Sequence, residues 1–397
     1  MTFKHGAYIN FTEDPGSPNV NLSANGIPFV MGCAIGATPD SAPTTLQKIS
    51  SFEGYKEVFG WKGASDDEPD TDYTLEEFAY LFFRKYHNAP VYMLNIYTIA
   101  AFSSGISSVE ASDFTAVVDT IDEIFPKYGT VPNMFLCPGY SSDTTLATAM
   151  YGKISYQGGH FSVWVVTDGL ESAIVSAIVA SAGAVTTDNA LIGYPKFGGY
   201  NLSSIICCCA VMATREHDDI PFHSFSNYSS PVIGHGIPVT IASTDKNLSI
   251  DDTDDLNEAG VVSWTSFGSG GKTLWGSFTA SYATGVTDYL NDTYIPRAMA
   301  NYLQSVVTLN IWSQVDDPTN RVLIQSVVAK ENAIGGALQA KGALLGYEIQ
   351  FLEADNPDSS LQAGSLKFKM KYLAPKEAID ITTDLEINFD YFSSLFA

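Results

Sequence analysis

Cys137 is the residue whose surroundings come nearest to supporting catalysis. It follows a short apolar run and precedes a Pro-Gly pair, and the ends of parallel strands are where α/β enzymes commonly place reactive groups. His160 and Asp168 lie further along the chain and could assist the thiol. A cysteine at a buried strand end is more often a packing residue, and the chain has no G-x-S-x-G motif. Catalysis by Cys137 therefore stands as an alternative hypothesis.

Three histidines lie close together in the sequence. His217, His223 and His235 are accompanied by Asp218 and Asp219, and zinc accepts imidazole and carboxylate ligands. Their spacing matches no helical histidine pair, and no cysteine lies close to them. A cytosolic α/β hydrolase-like enzyme that uses the cysteine or these histidines is therefore the second hypothesis for function. It predicts a concave pocket with convergent polar groups.

A glycine-rich stretch, residues 268–273, ends with the Gly-Lys-Thr sequence of a phosphate-binding loop. That motif requires a glycine where Ser266 stands and a helix after the loop, whereas the residues from Thr273 onward have a strand pattern. The backbone amides of a hairpin would not converge on a phosphate. We therefore predict a hairpin turn here, and we expect no cofactor.

Acidic residues are in excess and occur in two clusters. The chain has 44 acidic and 20 basic side chains and a net charge of −24 at pH 7, which disfavours contact with nucleic acid and with anionic lipid. The clusters are Asp251, Asp252, Asp254, Asp255 and Glu258, and Asp66, Asp67, Glu68, Asp70 and Asp72. Because Leu256 and Asn257 break the calcium-loop pattern, we interpret the clusters as solvated loops or helix starts.

Length and composition indicate a folded chain of more than one domain. The 397 residues exceed an average domain, and 45% of them are apolar, so we expect two or three domains with buried cores. No apolar stretch reaches the ~20 residues of a membrane-spanning helix, and the first residues lack a secretory signal pattern. Three successive cysteines, Cys207, Cys208 and Cys209, lie in an apolar run. They indicate a buried, reduced segment made in a cytoplasm, without direct membrane insertion.

The first part of the chain contains an extended segment, a strand and two helices. Residues 1–25 have the composition of an arm, and the apolar run 27–36 is typical of a strand buried on both faces. Thr74 and Glu77 have the spacing of a capping box, so we predict a helix from there to about residue 87. Asp113 is predicted to cap the next helix, which ends before Pro126.

From residue 134 to residue 212, strands and helices alternate. The predicted strands cover residues 134–137, 161–166 and 190–194, and the predicted helices cover residues 143–150 and 170–182, before the cysteine-bearing segment 202–212. Strand-helix alternation implies right-handed crossovers and a largely parallel sheet. The predicted fold class of this region is α/β.

The last third has a hairpin, two long helices and three late strands. The predicted elements are strands 261–267 and 273–278, helices 289–311 and 321–340 separated by an Asp-Asp-Pro break, and strands 345–351, 366–372 and 385–391. In strand 366–372 apolar residues alternate with lysines, and in strand 385–391 they alternate with acidic or polar residues. Opposite charges of this kind suit neighbouring strands of one sheet, within one subunit or between two.

The order of these segments, over nearly the whole chain, resembles the tail sheath proteins of contractile phage tails and of related injection machines such as R-type bacteriocins. The opening residues 5–9, residues 132–141 and the late strands are similar to the family. Its most specific motif positions are matched by Leu256, Asn257, Gly260, Trp275, Gly276 and Thr279. Ser277 and Phe278 stand where the family usually has Asn and Arg.

The resemblance implies an α/β fold, α+β overall. Its middle domain is called subtilisin-like for its fold, with a largely parallel sheet and no implied protease activity, and a C-terminal α+β domain follows it. The expected divisions are an N-terminal arm over residues 1–25, an N-terminal α/β segment over 26–95, the middle domain over 96–280, the C-terminal sheath domain over 281–380 and a C-terminal arm over 381–397.

The resemblance also implies a structural and non-enzymatic function. Such subunits polymerise helically around an inner tube and contract from a metastable extended state to drive the tube through a target cell envelope. The implied partners are further copies of the chain, the tail tube protein, and baseplate and tail terminator proteins. The implied location is a virion tail or an injection particle assembled from protein made in the bacterial host cytoplasm. Neither a metal nor nucleic acid is expected as a partner.

Strand exchange between subunits is the assembly contact that the resemblance implies. The candidate arm residues are Ala7, Tyr8, Ile9 and Phe11 at the N-terminus and Leu385, Ile387, Phe389 and Tyr391 at the C-terminus. The candidate receiving sheet comprises Ile349, Phe351, Leu366, Phe368, Met370 and Tyr372.

Overall fold

A computed structural model of the protein describes residues 26–36, 44–169, 185, 187–196, 200–228, 231, 239–241, 244–246, 248–265, 273–284 and 288–396. Its strands, in chain order, are β1 Pro28–Gly32, β2 Gln47–Ile49, β3 Val91–Asn95, β4 Met134–Leu136, β5 Ser155–Tyr156, β6 Phe161–Ser162, β7 Trp164–Asp168, β8 Ala190–Gly193, β9 Val239–Ile241, β10 Thr244–Lys246, β11 Val261–Thr265, β12 Thr273–Trp275, β13 Gly346–Gln350 and β14 Lys369–Leu373.

The α-helices are numbered in the same way, in chain order. They are α1 Phe52–Phe59, α2 Thr74–Ala79, α3 Ala111–Thr115, α4 Ile124–Tyr128, α5 Thr144–Tyr151, α6 Leu202–Glu216, α7 Ile250–Glu258, α8 Tyr294–Ile311, α9 Arg321–Ala340 and α10 Asp358–Gln362. Helix α2 continues directly into a π-helical turn, Tyr80–Lys85. None of the helices in the described residues is both long and apolar enough to span a bilayer.

The largest sheet has eight strands in the order β12-β11-β8-β7-β4-β1-β3-β2. All neighbours from β11 across to β3 run parallel, and the edge strands β12 and β2 are antiparallel to their neighbours. The largely parallel sheet predicted from the sequence is therefore confirmed. Strands from both sides of residue 95 pair within this sheet, so the predicted division at that residue does not coincide with a sheet edge.

Successive residues of the central strands contribute to two cores, one on each face of the sheet. Val30 of β1 and Leu136 of β4 belong to one core, while Phe29 and Phe135 belong to the other, where their rings stack at a centroid distance of 5.1 Å. A strand buried on both faces needs a continuous apolar sequence rather than an alternating one. This is why the apolar runs of the sequence became the centre of the sheet.

The predicted capping box at Thr74 and Glu77 is wrong. The N-cap of α2 is Tyr73, and it makes no side-chain cap hydrogen bond. The Thr74 hydroxyl accepts a hydrogen bond from the backbone N–H of Cys33 at 3.2 Å, and the Glu77 carboxylate accepts one from the backbone N–H of Asn201 at 2.8 Å. Both side chains are buried, and buried polar groups require partners that water cannot supply. Long-range partners have therefore replaced the local cap.

The predicted boundaries of the next helix are also wrong. Glu110, not Asp113, is the N-cap of α3, and the Asp113 carboxylate accepts a hydrogen bond from the Glu110 backbone N–H at 2.8 Å. The chain then passes through a 3-10 segment, Val118–Glu123, into α4. Pro126 lies within the first turn of α4, where a backbone N–H has no intrahelical acceptor and a proline is tolerated.

The predicted hairpin and both long helices are confirmed. Thr265 of β11 pairs with Thr273 of β12, and α8 and α9 are separated by a non-helical segment that includes Pro318. The predicted helix 170–182 and the loop between β11 and β12 lie outside the described residues.

The predicted strand at residues 385–391 is not formed in the single chain. In the described residues 374–388 the backbone has neither strand nor helix, and a 3-10 segment, Phe389–Phe396, follows. Leu385 and Ile387 lie in the first stretch, and Phe389 and Tyr391 lie in the second. An alternating sequence forms a strand only where a neighbouring strand completes its hydrogen bonds. No such neighbour pairs with these residues within the described chain.

Candidate functional site

The candidate receiving sheet is a two-stranded antiparallel pair formed by β13 and β14. Tyr347 pairs with Tyr372, and Ile349 pairs with Met370. Lys369 and Lys371 are exposed on the opposite face of β14, as their alternation with apolar residues predicted. Within the described residues each strand pairs only with the other. Each therefore has an open edge of backbone N–H and C=O groups, the kind of edge to which another strand can add.

Helix α9 packs closely against β13 at Gly335. A Cβ added to Gly335 would lie 2.1 Å from Cδ1 of Tyr347, so only glycine allows β13 to approach the helix this closely. Ile334 and Leu338 of the same helix are buried. Beyond the strand ends, the rings of Phe351 and Phe368 meet at a centroid distance of 5.1 Å.

The predicted receiving residues share one face but are only half-buried. The structure brings together Ile349, Phe351, Leu366, Phe368, Met370 and Tyr372, all of intermediate exposure. Of these, Phe351, Leu366 and Phe368 lie just outside the assigned strands. The sheet therefore keeps part of its apolar face uncovered in a single chain.

Two ionisable side chains attach the chain to α8 just before the C-terminal arm, defined here as residues 381–396. The Glu377 carboxylate accepts a hydrogen bond from the backbone N–H of Ile295 at 2.9 Å, close to the start of α8, whose positive dipole end favours a carboxylate. Lys376 forms an ion pair with the buried Asp292. Burial raises the pKa of Glu377 above its usual value, against the effect of the backbone hydrogen bonds. The arm thus leaves the body from a fixed point.

The C-terminal arm exposes a concentration of large apolar side chains. Ile381 is 81% exposed, Leu385 93% and Ile387 80%. Phe389, Tyr391, Phe392 and Leu395 are exposed as well. Single exposed apolar residues are common on proteins, but a contiguous group of them usually marks a contact surface. The N-terminal candidates Ala7, Tyr8, Ile9 and Phe11 lie outside the described residues.

The predicted family motif forms a packed junction between α7, β11 and β12. With its amide nitrogen turned toward the strands, Asn257 donates to the carbonyl oxygens of Val261 at 2.9 Å and Trp275 at 3.1 Å, and its oxygen accepts from the Trp275 indole N–H at 3.3 Å. Leu256 is fully buried beside it. One amide therefore fixes the end of a helix to two strands.

Two glycines of the motif are required by geometry. Gly276 has φ +97°, and a Cβ there would lie 2.7 Å from Cγ of Asn257. Gly260 has φ +72°, and a Cβ there would lie 2.4 Å from the carbonyl oxygen of Thr279. Side chains at these positions would combine left-handed backbone strain with a clash. Thr279 itself is buried and donates its hydroxyl to the carbonyl oxygen of Asn291.

Ser277 and Phe278 connect this junction to the start of α8. The Ser277 carbonyl oxygen accepts from the backbone N–H of Tyr294 at 2.8 Å, and Phe278 forms an isolated antiparallel bridge with Thr293. The Phe278 ring packs on Tyr282 with a centroid distance of 4.4 Å. An aromatic contact therefore occupies the position where the family usually has an arginine.

A cleft of about 680 Å³ lies beside the motif. Trp275, Phe278, Glu377, Ile379 and His223 contribute to its walls. The cleft thus joins the motif to the segment that leads into the C-terminal arm.

Cys137, the catalytic candidate, lies at the carboxyl edge of the parallel sheet, where an α/β enzyme would place its active site. Cys137 is fully buried, and burial raises the pKa of its thiol well above the usual value, with a further contribution from the negative charge of Asp168. Asp168 accepts from the backbone N–H of Ser203 at 2.9 Å and from its hydroxyl at 2.7 Å. His160 is exposed and packs against Trp312 at 5.1 Å. These groups form no nucleophile with an adjacent base.

The remaining sequence candidates have structural positions. The successive cysteines Cys207, Cys208 and Cys209 are buried in α6, and burial raises the pKa of each thiol, which confirms the core interpretation. The acidic cluster after residue 250 forms most of α7, and Asp252 makes a capping box with Ser249. Asp66 and Asp67 form ion pairs with neighbouring basic side chains. Of the three histidines, His217 and His223 lie together, and His235 lies outside the described residues.

Sequence reasoning did not find the long-range partners of two carboxylates, although it had named Glu77 as part of a capping box. Glu77 is fully buried and binds Asn201 through two hydrogen bonds at 2.8 and 2.6 Å. Glu377 caps α8 from 82 positions away. Neither pairing leaves a local pattern in the sequence, because the partners approach only when the chain has folded.

Comparison with known proteins places this geometry in a class. No family model matches the chain. The tail sheath protein of Burkholderia phage BcepMu is 37% identical over 147 residues, which are 36% of this chain and 30% of that protein. The match therefore spans less than a third of the curated relative's length.

Solved structures match over almost the whole chain. A chain of the anti-feeding prophage (AFP) baseplate structure has a TM-score of 0.69 at 18% identity, covering 98% of this chain and 100% of that chain. A chain of the AFP helical sheath in its contracted state has a TM-score of 0.67 at 19% identity, with the same coverage. A chain of the PVC sheath complex of an extracellular contractile injection system, also contracted, has a TM-score of 0.66 at 16% identity.

The fold is that of contractile sheath subunits. The chain is, over its matched segment, a relative of a phage tail sheath protein. The resemblance inferred from the order of the sequence segments is thereby confirmed.

Proposed function

We propose that this chain is a structural subunit of a contractile sheath. It polymerises helically around an inner tube and contracts from a metastable extended state, which drives the tube through a target cell envelope. The observation that carries the proposal is that one chain has both an exposed apolar arm and an open two-stranded sheet, on a fold shared with sheath subunits over 98% of the chain.

Strand addition between subunits is the proposed assembly contact. The arm has an alternating sequence but no strand partner within the described chain, and the β13–β14 pair has open edges and a half-covered apolar face. A strand of one copy that adds to the sheet of another gains backbone hydrogen bonds and buries its apolar residues. Since donor and acceptor are different surfaces, the contact need not close on itself and can generate a helical polymer.

The exposed charges of β14 and of the C-terminal arm have opposite signs. Lys369 and Lys371 are exposed on β14, and the arm carries Glu386 and Asp390, which are also exposed. If the arm of one subunit lies beside β14 of another, these opposite charges face each other, at a few tenths of a kcal/mol per pair. Their contribution is to register and partner choice more than to strength.

The proposed function requires no catalysis. The work of contraction comes from subunit contacts that are more favourable in the contracted lattice, and a kinetic barrier holds the extended lattice. Cys137, the candidate of the alternative enzyme hypothesis, is fully buried. The tail tube protein, the baseplate and the tail terminator are the proposed partners in a tail or injection particle, built from protein made in the bacterial cytoplasm.

Deletion of residues 381–397 tests the assembly contact. The truncated chain keeps Lys376 and Glu377, which attach the preceding segment to α8, so we expect it to fold with an unchanged melting temperature. In negative-stain electron microscopy at high concentration, with tube protein added, the full chain is expected to form striated tubes and the truncated chain none. Normal tubes from the truncated chain would contradict the arm assignment.

A matched pair of point variants tests whether assembly requires the apolar face of the arm or only the presence of the arm. Ile387→Asp places a charge on the apolar face of the predicted strand, whereas Asn388→Asp places the same charge on the opposite face. We expect the first variant to lose tubes and the second to keep them. Equal behaviour of the two would mean that alternation along the arm has no role.

A further inference from the structure

Three side chains that commonly bind transition metals converge at the C-terminal end of α6. Glu216 is the last residue of the helix, His217 is its C-cap, and His223 returns from the following turn. One potential ligand atom from each lies within 4.8 Å of those of the other two. The two imidazole rings have centroids 4.7 Å apart.

The backbone between the two histidines is wound so that they meet. Asp218 has φ 57° and Asp219 has φ 63°, and two successive residues in the left-handed region reverse the chain sharply, a conformation that Asp accepts more readily than most residues. The backbone N–H of Ile220 donates to the carbonyl oxygen of His217 at 3.1 Å. Asp218 is also paired with Lys341, just beyond α9. The turn is therefore closed by its own hydrogen bond and attached to the end of α9 by one ion pair.

The electrostatic surroundings favour a cation. The C-terminus of a helix carries a partial negative charge, and Glu216 adds a carboxylate at that point. The hydroxyl of Tyr228 donates to this carboxylate, which is the kind of outer contact that orients a metal ligand. The nearest basic side chain in sequence, Arg215, interacts electrostatically with Asp219.

We propose that Glu216, His217 and His223 bind one divalent transition-metal ion, with Zn²⁺ as the fitting species. Two imidazoles and one carboxylate suit zinc and its neighbours rather than magnesium or calcium, and water would occupy the remaining position. Glu216 and His223 are exposed, so an ion can enter directly from solvent, and His223 also lines the cleft beside the family motif. The ion fastens the end of α6 to the turn that enters this cleft. The inference does not rest on the proposed sheath function.

Calorimetric titration of the untagged full-length chain with ZnCl₂ tests the site. After chelator treatment, we expect about one Zn²⁺ per chain at about pH 7.5, and no binding of Mg²⁺. His223→Ala and Glu216→Gln should each weaken binding by about tenfold or more. His87→Asn is the matched control, because His87 is exposed and has φ 51°, a conformation that Asn tolerates. The zinc affinity of this variant should equal that of the wild type.

A second readout keeps the result independent of folding and assembly. Co²⁺ bound in a tetrahedral site of nitrogen and oxygen ligands absorbs visible light strongly, and we expect this absorption in the wild type and its loss in His217→Ala, while circular dichroism of both is unchanged. Absence of Zn²⁺ binding by the wild type overturns the proposal. So does undiminished binding by His223→Ala. Both measurements use dispersed protein, so they stand whether or not the chain forms tubes.

Discussion

The two main sheets of this molecule differ in how complete they are within one chain. In the eight-stranded sheet, β1, β3 and β7 are buried at every position. In the β13–β14 pair, the residues are exposed or half-buried throughout. The eight-stranded sheet is covered by helices on both faces, whereas the β13–β14 pair has one helix on one face and two open edges. We call the large sheet with its two cores the folding region, and the β13–β14 pair with the C-terminal arm the proposed assembly region.

The difference follows from the sequence of the strands. Continuous apolar runs gain free energy only when both faces are covered, which a single chain achieves with its own helices. Alternating strands need one covered face and a neighbour at each edge. The arm has an alternating sequence suited to a strand, but it is uncovered in the single chain. The Leu385 side chain, for example, is 93% exposed. The proposed strand addition between two copies would bring the arm and the β13–β14 pair together.

The largest expected effect compares one core residue with one arm residue. Phe135 is fully buried and stacks on Phe29, so Phe135→Ala should lower the free energy of unfolding by about 3–5 kcal/mol. Leu385→Ala should change it by no more than about 0.5 kcal/mol. Chemical denaturation of dispersed protein measures both. Similar losses in the two variants would break the distinction between a folding region and an assembly region.

A pH dependence within the folding region is expected next. Burial raises the pKa of Glu77 to about 8, with a smaller contribution from the charge of Asp168. Above its unfolded pKa of about 4.3, the unfolded chain releases this proton while the folded chain retains it. Stability should therefore fall as pH rises toward about 8, on the order of 1 kcal/mol per pH unit.

Glu77→Gln is the variant that isolates this carboxyl. It keeps a side chain of the same shape beside Asn201 but cannot titrate, so its denaturation midpoint should vary less between about pH 5 and about pH 8 than that of the wild type. Parallel pH profiles for the two proteins would show that Glu77 does not titrate in this range.

The smallest expected effect concerns the assembly region. Lys371 and Glu348 form an ion pair across β13 and β14 at 3.2 Å, with both side chains about half exposed. Water and salt screen such pairs, so Lys371→Ala should change the free energy of unfolding by less than about 1 kcal/mol. Lys371→Arg, which keeps the charge, serves as its control. A loss of several kcal/mol would mean that this sheet contributes to folding as strongly as the large one.

Predictions from local patterns succeeded where the pattern itself determines the outcome. The apolar run that became β1, the hairpin of β11 and β12, and the two long helices α8 and α9 all follow from periodicity over neighbouring residues. Predictions of helix caps failed at Thr74 and Asp113. The N-cap of α2 is Tyr73, without a side-chain cap hydrogen bond, and the N-cap of α3 is Glu110. Thr74 is bound to Cys33, 41 positions away, and such a partner cannot be seen in a local window.

Some features of the candidate site could likewise be predicted from the sequence, and others could not. Which residues of the arm and of the receiving strands are apolar and which are charged was determined by the sequence alone, because alternation assigns each residue to a face. The order of the motif residues was also visible in the sequence, but their joining by the Asn257 amide was not.

The sequence by itself determined the class of each strand, the excess of negative charge and the resemblance to sheath proteins. These depend on residue types and on spacings of a few positions. Only the tertiary structure decided that Glu77 meets Asn201 across 124 positions. It also brought ligand atoms of Glu216, His217 and His223 within 4.8 Å of one another, and it left the apolar side chains of the arm exposed. The physical reason is that hydrogen bonds and burial depend on distance in space, which the fold sets only when the whole chain has packed.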